Sequence, residues 1–184
     1  YPRSEVKSVH LSDEKVYSIV KQYQYNREGM YYAFLLNTNF SVADAGIGGE
    51  VIVGKQYNNY LAGGVGMGYN QISINDGVAS IPLFLDFRGN VLKRPRTPFY
   101  SLKMGYGFMF PSGDDNFNNV VEAKGGFLFH PALGMRFDSR TGTSFVFDFG
   151  YQFQNATITS QRWNGVNIDD VQYRRFTFRL GWVF

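Results

Sequence analysis

The sequence predicts an all-β protein: an eight-stranded antiparallel up-and-down transmembrane β-barrel over residues 30–184, with a short N-terminal periplasmic segment, residues 1–29, before it. Three observations predict it. Apolar and aromatic residues recur at every second position in segment after segment, and Gly, Asn, Asp and Pro separate the segments. The opposite faces carry glycines and scattered charges, not the dense Lys, Glu and Thr of a water-facing sheet. No apolar run approaches the roughly 18–20 residues of a membrane helix.

Composition narrows the class further. Aromatic residues make up 18% of the chain and glycines number 21, both above the usage of an ordinary soluble domain. That pairing suits strands with rings on one face and open space on the other. A net charge of +3 is too mild to argue for nucleic acid. The chain has no cysteine, which excludes a disulfide framework and a thiolate metal site. No basic-then-apolar leader opens the chain, so an exported protein is met here with its signal peptide removed. A slightly negative mean hydropathy fits a barrel, whose strands hide their apolar face by alternation.

In residues 1–29, "LSDEKVYSIVKQYQY" places Ser12 as a helix N-cap with acids after it and Val16, Ile19, Val20 and Tyr23 on one face. A short periplasmic amphipathic helix is the expectation, with a loose tail or an extra strand as alternatives. Strands follow at about 30–41, 46–57, 60–71, 78–89, 97–110, 121–137, 143–155 and 172–184. The third sets Leu61, Val65, Met67 and Tyr69 against Ala62, Gly64, Gly66 and Gly68. The fifth alternates Tyr100, Leu102, Met104, Tyr106, Phe108 and Phe110 with Ser101, Lys103, Gly105, Gly107 and Met109. The seventh is the clearest, with Phe145, Phe147, Phe149, Tyr151 and Phe153 on one face. The eighth, "YRRFTFRLGWVF", aligns Phe176, Phe178, Leu180, Trp182 and Phe184, the pattern expected of a C-terminal barrel-assembly signal with an aromatic girdle.

Volume decides which face looks inward. An eight-stranded barrel has an interior just wide enough to be filled by side chains. Ranks of five or six bulky residues from several strands would overfill it, whereas the glycine-bearing faces fit. The apolar face therefore points to lipid. Connection lengths agree in parity: "ATITSQRWNGVNIDD" and "PSGDDNFNNV" fall outside, and "NN" at Asn58–Asn59 and "DSRTGT" fall on the periplasmic side. "NVLKRPR" is longer than a periplasmic turn usually is.

The stretches "VASIPLFLDFRGN", "TPFYSLKMGYGF" and "EAKGGFLFHPALGMRF" resemble the small outer-membrane β-barrel proteins of Bacteroidota. There, "IPLF-D-RGN", "SPY-SLG-GYGF" and "GGFL-HP-LG" strands follow one another before an aromatic C terminus. The resemblance covers about residues 46–184. It implies the barrel fold and the outer membrane of a Gram-negative bacterium, and it implies no activity. Members often carry a β-rich segment before the barrel, where residues 1–29 stand here.

Parity turns Glu50, Asp86, Arg88, Lys103, Glu122, Lys124, His130, Arg136, Asp148, Arg175 and Arg179 inward. Charges closed off from bulk water must pair, so a lumenal charge network that plugs the barrel is expected. His130 lacks a hydroxyl on its face two residues away, since Pro131 and Ala132 follow it, and no serine makes an obvious partner. Catalytic residues are therefore none. "GDDNFNN" and "NIDD" lack the spacing of a calcium loop, so neither metal nor cofactor is expected. Lys93, Arg94 and Arg96 cluster in a proposed periplasmic turn, where anionic headgroups or a periplasmic partner are candidates beside plain solvation. The function expected is that of a non-enzymatic outer-membrane barrel, a structural or accessory subunit of a larger outer-membrane complex. A narrow pore or ligand-binding barrel is the alternative, and a lipid-modifying enzyme centred on His130 the third reading. Expected partners are outer-membrane lipid, the barrel-assembly machinery during insertion, and a larger outer-membrane barrel or lipoprotein, but no nucleic acid.

Overall fold

A computed structural model describes residues 28–41, 44–73, 78–111, 120–139, 142–162 and 165–184. The helix expected near residues 12–23 lies outside the described residues. The strands are β1 (Gly29–Phe40), β2 (Ala45–Asn58), β3 (Leu61–Ser73), β4 (Val78–Asn90), β5 (Arg96–Pro111), β6 (Val120–Lys124), β7 (Gly126–Asp138), β8 (Ser144–Arg162) and β9 (Gly165–Val183). Each pairs antiparallel with its neighbours, and β9 returns to β1, so the sheet closes. The seam runs from Ala33↔Val183 to Phe40↔Phe176 and is extended by reciprocal backbone bonds between Tyr32 and Phe184 (3.1 and 2.8 Å). β6 and β7 together make one barrel strand, which gives the eight-stranded up-and-down barrel that the alternation predicts.

Local chemistry fixes the turns at the end holding the β1–β9 seam terminus. The Asn58 side-chain oxygen accepts from the backbone N–H of Tyr60 and Leu61 (2.8 and 2.9 Å), an Asx turn that needs only two connecting residues. The β7–β8 turn places Gly142 at φ +90°, where a Cβ would be strained. Two prolines mark gaps in the ladders. The β3–β4 register skips from Met67↔Leu83 to Asn70↔Ser80 across Pro82, and β7–β8 skips from Phe129↔Phe153 to Ala132↔Gly150 across Pro131. Proline has no N–H to give, so these are the places where the ladder can spare one.

Two expectations are corrected. The strand expected over 121–137 is broken: Lys124 faces Thr157 but Leu128 faces Gln154, so one extra residue sits on the β6–β7 side at Gly125–Gly126. Such a bulge reverses which side chains point inward. Ala123 is buried, while Glu122 and Lys124 are exposed outside and pair with each other at 3.5 Å. They are not lumenal. The second correction concerns the long outer loop expected over 156–170. Over 156–162 and 165–170 it is instead strand, because β8 and β9 continue as a hairpin paired from Ser144↔Val183 to Arg162↔Gly165. β1 ends at Phe40, opposite Phe176, so the distal part of β9 rises past the barrel wall. Outward-facing polar pairs hold it, Thr157 Oγ1 to Asp170 (2.8 Å) and Gln172 Nε2 to Asn155 (3.2 Å).

The polarity of the barrel is inverted relative to a soluble one. Met30, Phe34, Val65, Leu83, Phe108 and Phe149 stand exposed on the outer wall. The interior instead buries Glu50, Asp86, Lys103, Asp148 and Arg179 beside Tyr31, Leu35, Ile52, Phe84 and Phe99. Glycines make the room. A Cβ on Gly66 would lie 2.5 Å from the Phe84 ring and 2.9 Å from Ile52, and one on Gly64 would lie 2.8 Å from the Tyr31 hydroxyl. At Gly63, whose Cβ would point outward, the nearest atom is 3.8 Å away. Gly66→Val is therefore expected to lower unfolding stability by about 1–3 kcal/mol through overpacking. Gly63→Ala should stay within about 0.5 kcal/mol. Urea titration of the folded barrel, read by its gel mobility before and after heating, checks both.

Candidate functional site

The lumen holds the chemistry, and it is layered. Nearest the seam terminus, Arg88 Nε contacts Asp86 at 2.5 Å, the Tyr31 hydroxyl donates to the same carboxylate oxygen (3.2 Å), and the Arg88 guanidinium lies over the Tyr31 ring at 5.2 Å. Asp86 and Arg88 both lie on β4, two residues apart, so strand alternation alone aims them at one another. At the rim of the same end Arg136 reaches Asp138 (2.9 Å) and the Ser144 hydroxyl (2.9 Å) and is only partly buried.

The middle layer is densest. Lys103 on β5 pairs with Glu50 on β2 across the lumen. Arg179 on β9 contacts Asp148 on β8 at 2.7 Å, lies 3.6 Å from Glu50, and donates to the Ser101 hydroxyl (2.8 Å). The register puts Asp148 directly opposite Arg179. The Lys103 ammonium also lies 4.8 Å from the centre of the Phe84 ring. Across these two layers three carboxylates, Glu50, Asp86 and Asp148, meet three cations, Arg88, Lys103 and Arg179, and the sum is zero. Arg175 sits higher, against Asp44 (3.3 Å) and the Ile72 carbonyl.

Between the charges and the hairpin end run neutral polar groups. Gln152 donates to Gln154, which donates to Ser80 (2.9 and 3.1 Å), and Asn39 donates to Asn37, which donates to Asn70 (3.3 and 2.9 Å). An apolar cap of Ile72, Val78, Met109, Ala123 and Ala156 lies beyond them, with Ile158 and Tyr173 packed against it. The bulge at Gly125 brings Ala123 into that cap.

His130 has a hydroxyl partner that sequence reasoning missed. Its Nε2 lies 2.5 Å from Thr177 Oγ1, on a strand 47 residues away, and a Cβ on Gly150 would lie 2.5 Å from that same nitrogen. Base and hydroxyl are thus joined, but both residues are 2% exposed, and among the described residues His130 Nδ1 has no hydrogen-bond partner to orient the ring. The pair lacks the third group and the access that a nucleophile needs. Its geometry supplies a structural hydrogen bond across the lumen. Among the described residues no three His, Asp or Glu side chains are placed to hold a metal ion.

The structure therefore brings Glu50, Asp86, Arg88, Lys103, His130, Asp148 and Arg179 into one interior. Arg175 lies above them and Arg136 at the rim, while Glu122 and Lys124 stand outside. Tyr31, Ser101 and Thr177 complete the layers. Parity would have found all three, but reading only charged residues passes over them. Phe176, Phe178, Leu180, Trp182 and Phe184 share the outer wall, where Phe176 meets Phe40 and Tyr151 (6.2 and 4.9 Å between ring centres) and Trp182 meets Phe145 (6.0 Å).

No family model matches the chain, and no curated protein matches it. Among solved structures, the crystal structure of the outer membrane protein OprG from Pseudomonas aeruginosa is similar to this chain, at a TM-score of 0.49 and 11% identity. The match covers 84% of this chain and 93% of that one.

The middle layer sets a clear expectation. Arg179→Met removes the cation that serves both Asp148 and Glu50, and stranding buried carboxylates in this way costs about 3–5 kcal/mol. Adding Asp148→Asn should recover part of that loss. A double-mutant comparison of urea midpoints reads it, and the absence of any recovery would show that pairing is not what holds the layer.

Proposed function

We propose that the chain is a non-enzymatic outer-membrane barrel of the small kind found in Bacteroidota, serving as a structural or accessory subunit of a larger outer-membrane assembly. The carrying observation is the inverted polarity: apolar side chains around the outer wall, paired charges inside. A soluble monomer rarely exposes apolar patches beyond a few hundred Å². Lipid is the solvent that turns such a wall into a stabilising feature. Dimensions support this. The outward run on β5 from Tyr100 to Phe110, at about 3.3 Å per residue and a tilt near 40°, covers a height of about 25 Å, which is that of the apolar band of such barrels. On β8 and β9 the outward face changes from Phe153 and Phe176 to Asn155 and Gln172, which marks where the band ends.

The accessory role is supported by what the interior offers. A lumen filled by paired charges and closed by an apolar cap serves cohesion better than transport or turnover. Among the described residues, the outer wall, the exposed turns and the projecting β8–β9 hairpin are what is left to present to another molecule.

Three measurements test the reading together. The protein is expected to sediment with outer membranes, to stay at baseline conductance in planar bilayers, and to co-purify in fixed proportion with one large barrel or lipoprotein from mild detergent. Recovery in the soluble fraction would remove the membrane reading, stepwise conductance would remove the filled lumen, and isolation without companions would remove the accessory role.

A further inference from the structure

At the seam end of the barrel, one sector has a surface that a water-facing turn does not explain. The β2–β3 and β4–β5 turns lie side by side: Asn90 N–H donates to the Asn59 carbonyl (3.0 Å) and the Tyr100 hydroxyl donates to the Tyr60 carbonyl (2.6 Å). The longer turn is pinned, since Leu92 N–H donates to the buried Thr97 hydroxyl (2.9 Å) and Val91 N–H to the Pro98 carbonyl (2.8 Å). Held in this way, it exposes Val91 and Leu92 at 52% and 42% directly beside exposed Lys93, Arg94 and Arg96. Lys93 lies over the Tyr60 ring at 5.6 Å, and on β2 Lys55 lies over the Tyr57 ring at 5.9 Å. The sequence has no acidic residue from Val53 to Gly63 or from Phe87 to Met104. In the third turn at this end, Arg136 pairs with Asp138.

Exposed apolar side chains, amphipathic rings and cations gathered on one sector are the side-chain types that a bilayer edge receives. Apolar side chains reach the acyl region, tyrosines sit at headgroup level, and long basic side chains extend to phosphate. We propose that this sector, with Lys55, Lys93, Arg94 and Arg96 as its cations, binds the phosphates of anionic phospholipid headgroups in the leaflet at the seam end. The proposal rests on the membrane reading above and adds a chemical preference to it. It also accounts for a turn longer than a periplasmic connection requires: the added residues, Val91 to Arg96, are the ones that form the surface.

The test reconstitutes the whole protein in bilayers of phosphatidylethanolamine with a minor fraction of phosphatidylglycerol, then measures the lipids retained by native mass spectrometry after extraction. At roughly fivefold per basic residue near the surface, phosphatidylglycerol should be retained about tenfold or more above its bulk share. The quadruple variant Lys55→Gln/Lys93→Gln/Arg94→Gln/Arg96→Gln should fall to about twofold or less, while the conservative Arg94→Lys/Arg96→Lys and the far-end Arg174→Gln should keep the enrichment. Heat-modifiable mobility in each sample establishes that the barrel has folded and inserted. An inserted wild type with no enrichment overturns the proposal, as does enrichment that survives in the inserted quadruple variant. Failure of the wild type to insert overturns the membrane reading and this proposal with it.

Discussion

The pairing of Arg179 with Asp148 and Glu50 is the interaction on which the rest of the interior depends. Arg179 belongs to the strand that closes the barrel, and its partners lie on β8 and β2, so one side chain ties the seam to both flanks. In a closed interior the alternative partner, bulk water, is distant, and a lone ion there is far costlier than a lone ion at a surface. Pairing therefore acts as a check on register. Shifting β9 by one residue against β8 would carry Arg179 to the lipid face and bring Leu180 inward. Such a barrel would hold an unpaired Asp148 inside and a bare guanidinium outside, penalised twice for one error.

Volume is the second constraint, and glycine placement answers it. An eight-stranded cylinder cannot accept a bulky side chain at every inward position. Here the large interior groups stand over glycines on other strands: Phe84 over Gly66, Tyr31 over Gly64, Phe99 over Gly134 and His130 over Gly150. Each ring takes the place of a neighbour's missing Cβ. This is why a chain so rich in glycine forms a well-filled sheet structure, although glycine inside a strand ordinarily weakens it. The penalty in backbone entropy is offset by packing that another residue would block.

Much of this was legible in the sequence, because alternation is a direct image of a two-sided wall. The seventh and eighth expected strands announce themselves by Phe145–Phe153 and Phe176–Phe184, and counting bulk per face suffices to decide which side is the lumen. Three features escaped for definite reasons. The Gly125–Gly126 bulge changes parity without changing composition, so Glu122 and Lys124 kept an inward assignment that only the pairing of Lys124 with Thr157 corrects. The distal hairpin escaped because it rises beyond the apolar band. There the outward face turns polar, as at Asn155, Thr157, Asp170 and Gln172, and the signal that reveals a strand in lipid is gone although the ladder continues. Residues 156–170 read as a loop for that reason alone. The Thr177 partner of His130 lay 47 residues away, a distance that spacing cannot bridge without register.

The two ends of the barrel consequently differ in kind. At the seam end the turns are short or pinned, and the surface is a local matter of side chains: tyrosines, two exposed apolar tips and cations. At the other end the backbone itself projects, with β6 paired to one side of the β8 extension and the distal part of β9 lying past the last β1 pair. An open strand edge invites pairing with another chain unless something discourages it. Asp169 and Asp170 stand exposed on that stretch, and charged side chains are among the features that discourage such pairing. Charge is thus buried and paired in the middle of the barrel and exposed toward its two ends.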